Sequence, residues 1–258
     1  MPAIQVVLFD LGGTLLHYDQ PPELPMEALN VKALRSFLGA AVKAGGKVPD
    51  PELAVRAISR MAAALDAKAV RTHYANTAEN IILEGLEAVN VRLPVKAFDA
   101  GMVAYYETIS ALVKPVDGHP QAVLARLTEQ GRGLGLVSNT FWSPTLHDTD
   151  LAHFGLLEYL PVRVYSSTFG MVKPHATIYR QALDRLDVAP AEAVFVGDKL
   201  AVDVAGPQKI GMRAVLVASP FRTEEDPEIM PDALIHNIDE LVGILEAWDK
   251  LLEMPLSR

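Results

Sequence analysis

The sequence predicts an α/β fold: a doubly wound, Rossmann-like parallel sheet, interrupted after its first strand by an all-helical domain. Three observations carry this expectation. Short apolar, β-branched runs recur through the second half of the chain, and helical patterns separate them. That alternation builds a parallel sheet with helices on both faces. A strand of the same kind stands near the N-terminus, and between Met26 and Leu112 the periodicity is helical throughout.

Ile4-Gln5-Val6-Val7-Leu8-Phe9 is short and apolar and reads as a buried strand, with Asp10 directly after it. Gly12-Gly13 breaks the pattern, and His17, Tyr18, Asp19 and Gln20 lead into Pro21-Pro22, the composition of a flap and linker. Leu34, Phe37, Leu38, Ala41 and Val42 recur at helical spacing up to Gly45-Gly46. Asp50-Pro51 opens a second helix, with Ala54, Ile58, Met61 and Leu65 on one face. Asn76 and Glu79 have the form of a capping box for a third, and Pro94 opens a fourth carrying Phe98, Met102, Tyr105, Ile109 and Leu112. Four helices in succession predict a bundle with its own small core.

Lys114 to Gly118 reads as a second linker. A helix is expected from Pro120 to Gln130, ending at Gly131, and strands at Leu134 to Val137 and Val162 to Tyr165. A helix from Ile178 to Leu186 precedes a strand at Ala193 to Val196. A helix from Val202 to Ile210, strands at Arg213 to Val217 and Ala233 to Ile235, and a last helix from Leu241 to Leu252 complete the chain. The expected division is residues 1–18 and 115–258 as the α/β core and 19–114 as the helical domain.

Composition narrows the function classes. Half of the 258 residues are hydrophobic and 21% are charged, enough for a real core. Lys plus Arg is 23 against 32 Asp plus Glu, a formal charge of −9, which argues against non-specific binding to nucleic acid or to an anionic membrane. Cysteine is absent, which excludes disulfides, thiolate metal sites and cysteine nucleophiles. There is no stretch of the ~18 consecutive apolar residues of a membrane span. A cytoplasmic protein without a signal peptide is the expectation.

In an open parallel sheet, ligands sit at the carboxyl ends of the strands. The polar residues falling there are Asp10 with Gly12-Gly13-Thr14, Ser138-Asn139, Lys173-Pro174, and Gly197-Asp198 with Asp203. Three carboxylates and one ammonium leave this cluster at about −2, which asks for a divalent cation, and oxygen-only ligands favour Mg²⁺. Backbone N–H groups around Leu11 and Gly12, the Ser138 hydroxyl and the Lys173 ammonium suit the oxygens of a tetrahedral anion. An Asp beside such a pocket can attack phosphorus.

Phe9-Asp10-Leu11-Gly12-Gly13-Thr14-Leu15, Val137-Ser138-Asn139, Lys173-Pro174 and Gly197-Asp198-Lys199-Leu200-Ala201-Val202-Asp203 resemble the four ordered motifs of the haloacid dehalogenase (HAD) superfamily. Four motifs in order, each at a strand end, are specific. The resemblance spans the whole chain, and the helical stretch matches that family's cap. It implies a Mg²⁺-dependent hydrolase, favouring a phosphatase of a small phosphorylated metabolite, with a 2-haloacid dehalogenase or a non-catalytic binding protein as alternatives. Asp10 would be the nucleophile, and Lys173 would hold its charge and the transferring group. Leu11, Gly12, Thr14, Ser138 and Asn139 would bind substrate. Asp10, Asp198, Asp203 and the Gly12 carbonyl would hold the metal. The family's phosphatases carry a second Asp two residues after the nucleophile; here that position is Gly12, and His17 or Asp19 of the flap are the candidate replacement acids. The histidines are otherwise expected to be structural or surface groups, His17 included by default. A homodimer is left open.

Overall fold

The computed structural model describes residues 3–18, 26–218 and 226–253. Strand β1, Val6–Phe9, is buried at every position. A strand apolar on both faces belongs at the centre of a sheet covered on both sides. After β2, Leu16–His17, come four helices: α1, Met26–Lys43; α2, Pro51–Thr72; α3, Ala78–Glu87; and α4, Val95–Ser110. Strand β3, Lys114–Pro115, then pairs antiparallel with β2, His17 opposite Lys114. The two expected linkers therefore meet as a small ladder that closes the helical segment at its base. His17 is buried in it rather than solvent-facing. Asp19 lies outside the described residues.

The rest alternates: α5, Pro120–Glu129; β4, Gly133–Ser138; α6, Pro144–His153; β5, Val162–Tyr165; α7, Ser166–Phe169; α8, Ala176–Leu186; β6, Ala193–Gly197; α9, Gly206–Lys209; β7, Arg213–Val217; β8, Ala233–Ile235; and α10, Leu241–Glu253. The sheet order is β5-β4-β1-β6-β7-β8, all parallel. The chain passes from β1 to β4 and β5 on one side and returns to β6 on the other. The topological switch point is thus at β1, where a doubly wound sheet opens its ligand crevice.

Two local expectations are corrected, and one helix is added. The third helix is capped by Thr77, whose hydroxyl accepts from the Asn80 N–H, while the Asn76 amide donates to the Leu65 carbonyl. The helix expected from Val202 is a π-helical turn, Leu200–Ala205, followed by α9, because Pro207 has no N–H to continue an α ladder. Helix α6 was not among the expected elements; Ser143 caps it before a proline at the first turn, its hydroxyl accepting from the Thr145 N–H.

The helical segment pairs α1 with α4 and α2 with α3. It does not keep a separate core. Phe37, Ile58, Ile82 and Tyr105 belong to one contiguous apolar cluster with Phe9, Leu16, Trp142 and Leu151 of the α/β part. Helices with one apolar face need a partner surface, and here the sheet's own loops supply part of it.

Candidate active site

Asp10 follows the last paired residue of β1, and its N–H donates to the Val196 carbonyl at 2.9 Å. Phe9 lies opposite Leu136 of β4 and Val196 of β6. Ser138 and Asp198, just beyond those positions, therefore reach the same edge as Asp10. All three are buried.

Lys173 arrives from the loop between α7 and α8. The Asn139 side chain holds that loop: its amide donates to the Lys173 carbonyl at 3.0 Å and its Oδ1 accepts from the Lys173 N–H at 2.7 Å. Asn139 thus spends its amide on positioning Lys173 instead of facing a ligand. The Lys173 ammonium lies 2.7 Å from both Asp10 Oδ1 and Asp203 Oδ1 and 5.0 Å from the Phe195 ring centroid. Burial works against its charge, yet the two carboxylates hold its pKa above the usual lysine value.

Asp203 is fully buried, and its second oxygen accepts from the Lys199 N–H at 3.0 Å. Its approach requires Gly197, where a Cβ would stand 2.4 Å from Asp203. Asp198 is placed the same way by Gly13, whose φ is +80° and whose Cβ would stand 2.4 Å from Asp198 Oδ2. The partners differ, however. Both Asp203 oxygens accept hydrogen bonds, whereas Asp198 Oδ1 is buried and has no hydrogen-bond partner. Burial first, then the charges of Asp10 and Asp203, raises the Asp198 carboxyl to about 7.

Carboxylate oxygens of Asp10, Asp198 and Asp203 lie within 4.8 Å of one another, and this buried cluster could bind a metal ion. The donor set is all oxygen, and an orphaned carboxylate oxygen in the interior is a costly feature that a cation would satisfy. Sequence reading left out Lys199. It stays open to solvent next to Asp198; partial desolvation by the surrounding protein opposes its charge, yet all three carboxylates raise its pKa. It adds a second positive charge, so the cluster stands nearer −1 than −2. Thr14 is fully buried in the Gly12–Leu16 turn, and its hydroxyl makes no hydrogen bond. The Leu11 carbonyl accepts from the Leu15 and Leu16 N–H groups and fixes the turn.

A second buried polar group, also absent from the sequence reading, lies against this turn. The Tyr18 hydroxyl is 2.9 Å from His147 Nδ1 and donates to Asp150 Oδ2 at 3.1 Å. His147 Nε2 is 2.8 Å from the Thr140 hydroxyl, which accepts from the Trp142 N–H at 3.0 Å. The Trp142 indole N–H donates to Tyr105 of α4 at 3.2 Å, joining the helical segment to the sheet. Burial lowers His147 to about 4, against the pull of the Asp148 and Asp10 charges, and burial raises Asp150. No local pattern in the sequence marks Tyr18, His147 and Asp150 as partners.

The family model for haloacid dehalogenase-like hydrolases matches residues 4–211. The chain belongs to the haloacid dehalogenase-like hydrolases. It is a hydrolase; three of the four motifs stand at the ends of β1, β4 and β6, while Lys173-Pro174 lies in the loop between α7 and α8 and not at a strand end. A glyceraldehyde 3-phosphate phosphatase of Methanopyrus kandleri is 28% identical over 96% of this chain and 99% of its own length. A phosphoserine phosphatase of Thermus thermophilus is 35% identical over 49% of this chain and 50% of its own. Among solved structures, a 2-haloacid dehalogenase of Pseudomonas syringae superposes with a TM-score of 0.67 at 26% identity, covering 95% of this chain and 99% of that one. No helix among the described residues is long and apolar enough to cross a membrane.

Proposed function

We propose that this HAD-like hydrolase is a Mg²⁺-dependent phosphatase of a small phosphorylated metabolite, acting through an aspartyl-phosphate on Asp10. The observation that carries the reading is the pairing of Lys173, bound to Asp10 and Asp203 at 2.7 Å each, with the orphaned buried oxygen of Asp198. One side of the nucleophile is supplied with a fixed cation, and the other lacks one.

Asp10 attacks phosphorus; Lys173 holds its unreactive oxygen and orients the carboxylate. Ser138, Thr14 and the backbone at Leu11 and Gly12 face the transferring group, and Asn139 keeps Lys173 in register. Asp10, Asp198 and the Gly12 carbonyl would hold Mg²⁺, with Asp203 behind them fixing Lys173. The ion would neutralise charge on the phosphate oxygens. Residues 19–114 act as a cap over the strand ends of the core formed by 1–18 and 115–258, excluding water from the reaction. The phosphatase names of the relatives at 28% and 35% identity support the substrate class.

A 2-haloacid dehalogenase, in which Asp10 attacks carbon without a metal, is the second reading, favoured by the neighbour at TM-score 0.67. Three buried carboxylates oppose it, because they would repel a carboxylate substrate. One panel decides: phosphate esters, acyl phosphates and 2-haloacids, with Mg²⁺ and with excess chelator. Metal-dependent phosphate release supports the proposal. Halide release that persists in chelator overturns it.

A further inference from the structure

Cleaving a phosphate ester takes two proton transfers: one to the departing oxygen, and one from the water that later attacks phosphorus. Three of the described groups around Asp10, namely Lys173, Asp203 and Tyr18, are held by hydrogen bonds within the site. The Lys173 ammonium is shared between two carboxylates, and both oxygens of Asp203 accept from Lys173 and Lys199. The Tyr18 hydroxyl is turned into its bonds with His147 and Asp150. Asp198 Oδ1 offers an acceptor to a cation.

One place beside the nucleophile is open. Gly12 does not have the left-handed backbone of Gly13. A Cβ on it would meet nothing nearer than Tyr18 Cδ2 at 3.9 Å. A side chain would fit, yet the chain has none there, and the facing wall is the edge of an aromatic ring.

We propose that Gly12 and the Tyr18 wall restrict this site to phosphoryl donors whose leaving group departs as a stabilised anion: acyl phosphates, phosphoanhydrides, and aryl or enol phosphates. This rests on the phosphatase reading of Asp10. In the first step an Asp10 oxygen forms a bond to phosphorus, the bond to the leaving oxygen breaks, and that oxygen keeps the electron pair. A leaving group of low pKa needs no proton. In the second step water attacks the same phosphorus, the bond to Asp10 breaks, and its electron pair returns to the carboxylate while the water proton passes to solvent. Choice of leaving group relieves the first step and not the second. General base help is worth ~10²–10⁴-fold, so the phosphoryl-Asp10 species outlives the leaving group.

The test is rapid-quench kinetics of the Mg²⁺-loaded enzyme with p-nitrophenyl phosphate, acetyl phosphate and glycerol phosphate. The expected result is a burst equal to the enzyme concentration and one common kcat for the two activated donors. For glycerol phosphate, kcat/KM should be lower by ~10²–10⁴-fold. Gly12→Asp should remove the burst and improve glycerol phosphate most, whereas Gly12→Asn, of equal size but unable to exchange a proton, should do neither. Should Gly12→Asp fail to fold, the wild-type burst and leaving-group slope still decide. Turnover of all three donors at equal kcat/KM without a burst overturns the proposal alone. If that flat profile steepens in His17→Phe or Asp19→Asn, the acid lies on the flap and the proposal is likewise overturned. Phosphate release from none of the donors overturns both it and the phosphatase reading.

Discussion

Two buried polar groups sit side by side at the carboxyl edge of the sheet, and they are built on opposite principles. In the Tyr18–His147–Asp150–Thr140 group each donor has an acceptor, and the chain continues through Trp142 to Tyr105. In the Asp10–Lys173–Asp198–Asp203 group, three carboxylates crowd within 4.8 Å and one buried oxygen has no partner. The interior tolerates buried polar atoms when they are satisfied and charges when they are paired. A satisfied network holds parts together; an unsatisfied one reserves a place for something that is not protein. The first group belongs to the seam between helical segment and sheet, the second to the chemistry.

That contrast can be broken by mutation. The largest effect is expected at the nucleophile: Asp10→Asn should lower turnover by on the order of 10⁴-fold or more, while substrate binding persists. Measured kcat together with equilibrium binding checks it, and near-normal turnover would require a different nucleophile. Asp198→Asn comes next. Mg²⁺ affinity should fall by more than ~100-fold, yet the metal-free variant should be more stable than wild type near neutral pH, because a strained carboxylate has been removed. Titration calorimetry and a thermal melt in chelator read the two signs. Loss of stability in the metal-free variant would mean that Asp198 is structural.

His147→Phe tests the satisfied group. It removes one hydrogen bond from each of the Tyr18 and Thr140 hydroxyls, which keep Asp150 and the Trp142 N–H, and this should cost about 1–3 kcal/mol of stability with Mg²⁺ affinity unchanged. A fall in Mg²⁺ affinity with no fall in stability would reverse the roles assigned to the two groups. The smallest effect is expected from pH. The Asp198 carboxyl is raised from 3.8 to about 7 in the folded chain, so the unfolded state gains by ionising first. The metal-free protein should therefore lose stability as pH rises from about 4 to about 7, and Mg²⁺ should abolish that slope. Melting temperatures across that range, with and without the ion, decide it. A metal-free protein that gains stability over the same interval would contradict the burial of an ionised cluster.

Much of this was legible in the amino-acid order. The β1 run, Asp10, Ser138, Asp198 and Asp203 could be read because strand periodicity is local and each motif follows its strand directly; Lys173 was marked only by its own Lys-Pro motif, with α7 between it and β5. The same holds for α2, where Asp50-Pro51 marks its own start. The alternation of strands and helices pointed to the fold class, since a helical crossover lets successive strands run parallel in one sheet. Other features were decided by contacts between residues far apart in the chain. The β2–β3 ladder joins Leu16 to Pro115, and a two-residue strand has no period to detect. Tyr18 meets His147 and Asp150 across 129 and 132 positions, and nothing near any of them announces the partner. Asn139 shows the limit most plainly. Its place at a strand end was visible from the sequence, but only the tertiary structure decided that its amide is spent on the Lys173 backbone. Burial determines which polar atoms must find partners, and burial is a property of the assembled chain.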